Sequence, residues 1–301
     1  MIKNFILNNF PSLIKFIIEC KFRFKNNWKK PEVIHLDNGL RLFADWNEPR
    51  GRSLIIGGAK GQPSIKQFWK KAGELILPDV FLDVGANYGE VMFSTNYHQN
   101  TKLIIGVEAN SSLIKFLNKT LDANPYKEKV ILLNKLASDS TGQIERFFID
   151  KKSSGRSTAL ENNFVKDVIE VNVESIRLDD FILAHLSSIQ SMVFKIDVEG
   201  FEPYVLRGLE KLIQKRIKMI GCIEINLVSL KNNNCELGFY FKFLNDHFNV
   251  GIFHNDGRLE LLAYINEDVL RKKVKNKHVE TDLILYTSDI DINNLFRIFK
   301  E

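Results

Sequence analysis

Cysteine is scarce in this chain: Cys20, Cys222 and Cys235 are the only three among 301 residues. Their odd number, their scatter and the lack of any C-x-x-C spacing argue against a disulfide framework, a structural zinc or attached haem, and fit a reducing cytoplasm. Long apolar runs are missing too. None reaches the ~18 residues a spanning helix needs, and no short apolar stretch ends in a small-residue cleavage site, so neither membrane spanning nor export is expected. Seven Pro and 17 Gly are too few for a collagen-like or low-complexity chain, while 45% hydrophobic residues suffice for a buried core. There is no G-x-x-x-x-G-K-[ST] phosphate loop and no G-x-S-x-G elbow, which removes P-loop and α/β-hydrolase readings.

Charge is nearly balanced at +5, but unevenly placed. Residues 1–30 hold seven cations (Lys3, Lys15, Lys21, Arg23, Lys25, Lys29, Lys30) against Glu19 alone, a balance of +6 that leaves −1 for the other 271 residues. A near-neutral body with a basic tip is unlike a nucleic-acid enzyme, which spreads cations over its binding face. Within the tip, residues 12–24 put Leu13, Ile14, Ile17, Ile18 and Cys20 near one helical face, with Lys15, Glu19 and Arg23 opposite. Such a helix either packs on the body or a dimer partner, or rests on anionic lipid or a lipid-linked substrate at the inner membrane surface.

Residues 1–30 are therefore read as a basic amphipathic segment and 31–79 as an accessory region. In the latter, Asp37-Asn38-Gly39 and Pro49-Arg50-Gly51 punctuate a hairpin and irregular strands ahead of a helix over 64–77. Residues 80–301 then alternate: strand 80–84, helix from 88, strand 103–108, helix 111–122, strand 130–134, strand 192–197, helix 202–214, strand 218–225, helix 237–246, strand 248–254, strand 281–287. Alternation of this kind implies a doubly wound, mostly parallel sheet with helices on both faces. The stretch 138–176 interrupts it with two alternating segments, Ile144 to Ile149 and Val168 to Val173, read as a β insertion over the sheet's carboxyl edge.

Phe81-Leu82-Asp83-Val84-Gly85-Ala86-Asn87-Tyr88-Gly89 is a buried strand, a glycine turn and a helix start, which brings backbone N–H groups against a ligand. A dinucleotide site wants G-x-G-x-x-G, yet Asn87 takes the middle glycine's place and Glu90 the third, so pyrophosphate fits badly. Asp83 would repel a diphosphate and suits a ligand bearing an ammonium group, as S-adenosylmethionine does. Glu108, 19 residues beyond Gly89 at the next strand's end, can accept hydrogen bonds from both ribose hydroxyls. The alternative is a surface acid capping the helix that starts near Ser111.

These residues resemble those of class I S-adenosylmethionine-dependent methyltransferases, and more narrowly the FkbM family. Asp83-Val84-Gly85-Ala86-Asn87-Tyr88-Gly89 is similar to that family's glycine motif, Leu178-Asp179-Asp180-Phe181 to its Leu-Asp-Asp segment, and Lys195 to Glu202 with Val205-Leu206-Arg207-Gly208 to its most diagnostic stretch. The resemblance covers about residues 80–226 and departs at Ala109-Asn110, where the family often follows its acid with Pro. It implies a Rossmann-like, seven-stranded fold and O-methylation of a hydroxyl on a saccharide, a lipid-linked glycan or a polyketide-type acceptor. S-adenosylmethionine would be held by Asp83, Gly85, Ala86, Asn87, Gly89, Glu108, Ala109, Ala137 and Ser138.

Lys195 is odd inside a strand that such a sheet buries, because a buried lysine needs a partner. Period-2 alternation puts Lys195 and Asp197 on one face, so they either form an ion pair or place Asp197 at the ligand crevice, where Asp197 or Glu199 accepts the acceptor hydroxyl's proton. Glu224 and His254, at two further strand ends, are expected to point into the same crevice. Asp197, Glu199, Glu224 and Asn226 carry oxygens of the kind Mg²⁺ prefers, but no metal is assigned. His35, His98, His185, His247 and His278 show no pairing. No two prolines are adjacent and no cysteine follows a proline, so the usual signatures of amino-group and cytosine methylation are missing and DNA is not the expected substrate. The rival readings are a nicotinamide-dependent oxidoreductase and a non-catalytic binding module on the same fold.

Overall fold

Strands β1 (Val33–His35) and β2 (Arg41–Phe43) form a hairpin, reversing where Gly39 takes the positive φ that a tight turn requires. The computed structural model describes residues 18–22, 24, 29–161, 167–232, 235–275, 278–293 and 295–299. Of the amphipathic stretch expected over 12–24, residues 18–22 are helical and most of the rest lies outside the described residues. No helix among those described is long and apolar enough to cross a membrane. The irregular strand expected near Pro49-Arg50-Gly51 is instead a helix, α1 (Pro49–Gly57). Glu48 caps it, accepting from the Gly51 N–H at 2.6 Å, Pro49 sets the first turn, and Gly58 ends it in the left-handed region. Helix α2 (Pro63–Ile76) follows.

The α/β body runs β3 (Val80–Val84), β4 (Leu103–Val107), α3 (Ser111–Asp122) and β5 (Val130–Leu133), followed by β6 (Leu136–Ala137), β7 (Ile144–Asp150) and β8 (Val168–Ile176). Next come α4 (Leu178–His185), β9 (Ser191–Ile196), α5 (Glu202–Arg207), α6 (Glu210–Gln214), β10 (Lys218–Asn226), α7 (Leu227–Asn232) and α8 (Leu237–His247). The chain closes with β11 (Asn249–Phe253), β12 (Arg258–Leu262), α9 (Glu267–Lys273), β13 (Glu280–Tyr286) and β14 (Arg297–Phe299). The central sheet has the order β14-β12-β11-β13-β10-β9-β3-β4-β5. It holds nine strands and not the seven expected, because β12 and β14 extend one edge. Within it β5, β4, β3, β9 and β10 are parallel, and β13 enters antiparallel between β10 and β11; β6, β8 and β7 form a separate small sheet.

Alternation along the strands builds two cores. Val80, Leu82 and Val84 of β3 join Phe194 of β9 and the apolar faces of α4, α6 and α8, while Phe81 joins Ile104, α2 (Phe68, Trp69) and α3 (Phe116, Leu117) on the other side. Leu42 and Trp46 of the accessory region lie in that second core, so its burial is continuous with the sheet's.

Two expected helices differ. Residues after Gly89 form turns rather than a helix from 88, with Asn87 at φ +51 and Gly89 at φ +81 interrupting the right-handed path. The helix expected over 202–214 is two, α5 and α6, because the chain at Gly208 passes backbone to backbone against its neighbours. A Cβ there would lie 2.1 Å from the Ser138 carbonyl oxygen, and the Gly208 carbonyl accepts from the Asp179 N–H. Asp179, in the Leu-Asp-Asp segment, is wholly buried; its carboxylate takes Arg177 bidentately at 2.8 and 2.9 Å and accepts from the Lys211 N–H, tying α4 to α6.

Candidate active site

The chain leaves β3 for β4 and β5 on one side and returns to β9 on the other, so the sheet's direction of growth switches between β3 and β9, where ligands enter such sheets. The two strands' carboxyl ends touch there. A Cβ on Gly85 would sit 1.9 Å from the Asp197 carbonyl oxygen, and φ at Gly85 is +74, so both space and backbone require glycine. Above this point opens a crevice of about 300 Å³.

The turn spends its N–H groups internally. Gly85 and Ala86 donate to the Val107 carbonyl, Asn87 to Glu108 at 2.7 Å, Tyr88 to the Asn87 side chain and Gly89 to the Ala86 carbonyl. With no helix start and no free N–H along it, this turn lacks the phosphate cradle of a dinucleotide site. Glu90, in the fingerprint's third glycine position, is buried and ion-paired with Arg50 at 2.7 Å and Lys66 at 3.1 Å.

Glu108 does not cap α3; Asn110 does, accepting from the Ser112 N–H. The Glu108 carboxylate is buried at the crevice wall and receives the N–H groups of Asn87 and Asn110, one on each oxygen, leaving lone pairs for a further donor. Burial pushes it up to about 7 against the pull of those two N–H groups.

Opposite lies a charged cluster. The Lys195 ammonium is 3.4 Å from Asp83 Oδ1 and 3.2 Å from Asp197 Oδ2, and donates to the Gly85 carbonyl at 3.3 Å. Burial alone would lower Lys195, but Asp197 and then Asp83 outweigh it and hold the ammonium above its ordinary range. The side-chain oxygens of Asp197, Glu199 and Glu224 lie within 4.8 Å of one another. Burial first, and then the Asp197 charge, pushes Glu199 up to about 8 and Glu224 well above its ordinary value. Beneath them buried Glu202 accepts the Val198 and Gly200 N–H groups and is pushed up to about 7 by burial. The cluster thus limits its charge by retaining protons on Glu199 and Glu224 and by placing Lys195 beside Asp197.

These raised carboxyls set a pH dependence of stability. Native Glu108 and Glu202 keep protons that the unfolded chain releases above about pH 4.5, the ordinary glutamate value. The native state therefore binds more protons than the unfolded one, and stability falls by up to about 1.4 kcal/mol per pH unit per group. The fall runs until pH passes about 7 for these two and about 8 for Glu199. Differential scanning calorimetry should show the melting temperature dropping from pH 5.5 to pH 8; a flat or rising curve contradicts this electrostatic picture.

Of the residues expected at the site, Asp83, Gly85, Ala86, Asn87, Glu108, Ala109, Ala137, Lys195, Asp197, Glu199 and Glu224 line the crevice. Three expected residues do not line it. Gly89 backs onto Phe93 and Leu117, Ser138 packs its backbone on Gly208, and His254 faces a neighbouring cavity, where it meets Glu260 at 3.1 Å. His254 is displaced because antiparallel β13 separates its strand from β10. Asn226 is also diverted: its Oδ1 accepts the Val228 and Ser229 N–H groups. Sequence reading missed the roof, in which Asn87 donates to Ser154 at 3.1 Å and the Ser154 N–H donates to Glu48. The Glu48-Pro49 pair was the available signal, as a side-chain acceptor ahead of a proline that starts a helix.

The fold is that of a Rossmann-like methyltransferase. The model of the FkbM methyltransferase domain matches residues 83–251, and the chain belongs to that family. No curated protein matches the sequence. Among solved structures it is similar to the methyltransferase FkbM from Methylobacillus flagellatus KT, at 13% identity and TM-score 0.40, over 74% of this chain and 48% of that one. It therefore spans about half the length of that protein. It is also similar to the precorrin-6y C5,15-methyltransferase from Geobacter metallireducens GS-15 (14%, TM-score 0.35, 86% and 98% covered) and the tRNA m1G37 methyltransferase of M. jannaschii (13%, TM-score 0.38, 87% and 56% covered).

Proposed function

We propose that this chain is an S-adenosylmethionine-dependent O-methyltransferase acting on a hydroxyl of a saccharide, lipid-linked glycan or polyketide-type acceptor. The observation that carries the reading is one crevice with two chemically distinct ends. Glu108, beside the apolar wall of Val107, Ala109 and Phe147, suits an adenosine, and the Asp197, Glu199 and Glu224 group suits a hydroxyl losing its proton. The spent N–H groups of the glycine turn disfavour a nicotinamide dinucleotide at the same place.

S-adenosylmethionine, when bound, supplies an electrophilic methyl carbon on sulfur and leaves as the neutral thioether. The chain's own contribution is positioning and proton management. Glu108 orients the ribose, Asp197 at the end of β9 takes the acceptor's proton, and the Lys195 ammonium, 3.2 Å away, holds the Asp197 carboxylate in position. Glu199 and Glu224, protonated near neutrality, donate hydrogen bonds to the acceptor's other oxygens.

Calorimetric titration tests the cofactor assignment. S-adenosylhomocysteine should bind more tightly than NAD, and Glu108→Ala should weaken it by about 1–3 kcal/mol, as expected when a charged hydrogen-bond acceptor is removed. Tighter binding of NAD would sink the methyltransferase chemistry. Unchanged affinity in the variant would remove only the ribose contact.

A further inference from the structure

A second cavity, of about 480 Å³, opens beside the crevice at the carboxyl edge of β10 and the neighbouring ends of β13 and β11, and Glu224 lines both. The strand register explains the connection. Glu224 of β10 pairs with Asp282 of β13, and Asp282 pairs with Phe253 of β11, directly before His254. The row Glu224, Asp282, Phe253 therefore crosses three adjacent strands, spanning roughly 10 Å at ~4.8 Å per strand, and His254 follows at its far end.

The cavity's two walls differ in charge. The acids Glu224, Glu280 and Asp282 stand on β10 and β13; on the far wall, toward β11 and β12, stand His254 and Lys273, and Lys275 follows α9. Burial, and then the Asp197 charge, pushes Asp282 up to about 7, so the acid wall near neutrality carries both donors and acceptors for hydroxyl groups. On the far wall Glu260 accepts from His254 at 3.1 Å and pairs with Lys273 at 2.8 Å, which orients both side chains and offsets the Lys273 charge. The Lys275 side chain is exposed and enters no ion pair among the described residues, so it leaves the far wall positive.

The geometry points to this cavity as the acceptor chamber, joined to the methyl site at Glu224 and shaped for a hydroxylated molecule that also bears an anion, a carboxylate or a phosphate, facing Lys275. The inference rests on the methyltransferase reading and adds the acceptor's position and charge. A hexose carrying one anionic substituent spans the row from Glu224 to the basic wall. Its reacting hydroxyl would then lie on the Glu224 side, beside Asp197.

The test uses the full chain saturated with S-adenosylhomocysteine and titrated with D-glucose, D-glucuronate or D-glucose 6-phosphate. At least one anionic sugar should bind about fivefold more tightly than glucose, the scale of one solvent-exposed charge contact. Lys275→Glu should abolish that preference and leave S-adenosylhomocysteine affinity unchanged. The glucuronate and phosphate arms identify which anion is read. Equal binding of the three sugars, no measurable binding of any, or a preference that survives Lys275→Glu overturns the chamber alone. Failure of S-adenosylhomocysteine to bind overturns the methyltransferase reading as well.

Discussion

Asp197→Asn is expected to lower turnover on the true acceptor by more than ~10² with the fold intact, since a positioned base contributes ~10²–10⁴-fold. The amide keeps the side chain's shape and removes its basicity. Asp197 is the member of the carboxylate trio that pairs with the Lys195 ammonium, at 3.2 Å, whereas Glu199 is pushed to about 8 and Glu224 well above its ordinary value. Near neutrality those two already carry protons, so Glu199→Gln and Glu224→Gln resemble the native state and should cost less. Single-turnover rates with a saturating methyl donor separate this chemical effect from binding. If Asp197→Asn keeps near-full turnover while Glu224→Gln abolishes it, the base lies on β10. If chelation alone stops the reaction and Mg²⁺ restores it, the trio is better described as a ligand set.

Lys195→Met is expected to destabilise the protein by about 3–5 kcal/mol, the cost of removing one partner from a buried ion pair. The ammonium is 4% exposed and Asp83 1%, so Asp83 would be left without a counterion in a site that water cannot reach. Burial already pushes Asp83 up, and without Lys195 only the Met92 N–H would oppose it, so native Asp83 would hold still more firmly a proton that the unfolded chain releases above about pH 4. The native state would bind the extra proton, so the variant's deficit should grow as pH rises from 5 to 8. Urea unfolding of both proteins at those two pH values measures this. A deficit that is small and independent of pH would mean that Lys195 is dispensable for charge balance. The double variant Asp83→Leu with Lys195→Met should recover much of the loss, because it removes both charges.

Much of the frame was legible because it is written locally. The run from Val80 to Val84, the strand ending before Glu108 and the helix over Ser111–Asp122 each carry their own periodicity, and the last also carries its cap, Asn110, in adjacent residues. The oddity of Lys195 was legible as well, since a lysine inside an apolar strand demands a partner wherever the chain finally runs. The turns after Gly89 were less so. Their apolar residues mimic a helix, and what redirects them includes a bond from the Met92 N–H to Asp83 in the strand before.

The sequence by itself determined an alternating α/β chain, a glycine turn unsuited to pyrophosphate, and acids placed at strand ends, because period, turn chemistry and caps act over a few residues. Only the tertiary structure decided which of those acids meet. Lys195 reaches Asp83, 112 positions earlier, because β9 lies beside β3 in the sheet, and Glu48 reaches Ser154 because α1 packs under the insertion. The same strand order sends His254 to a separate chamber, with antiparallel β13 lying between β10 and β11. Strand order is set by burial summed over the whole sheet, and no short stretch of sequence contains that sum.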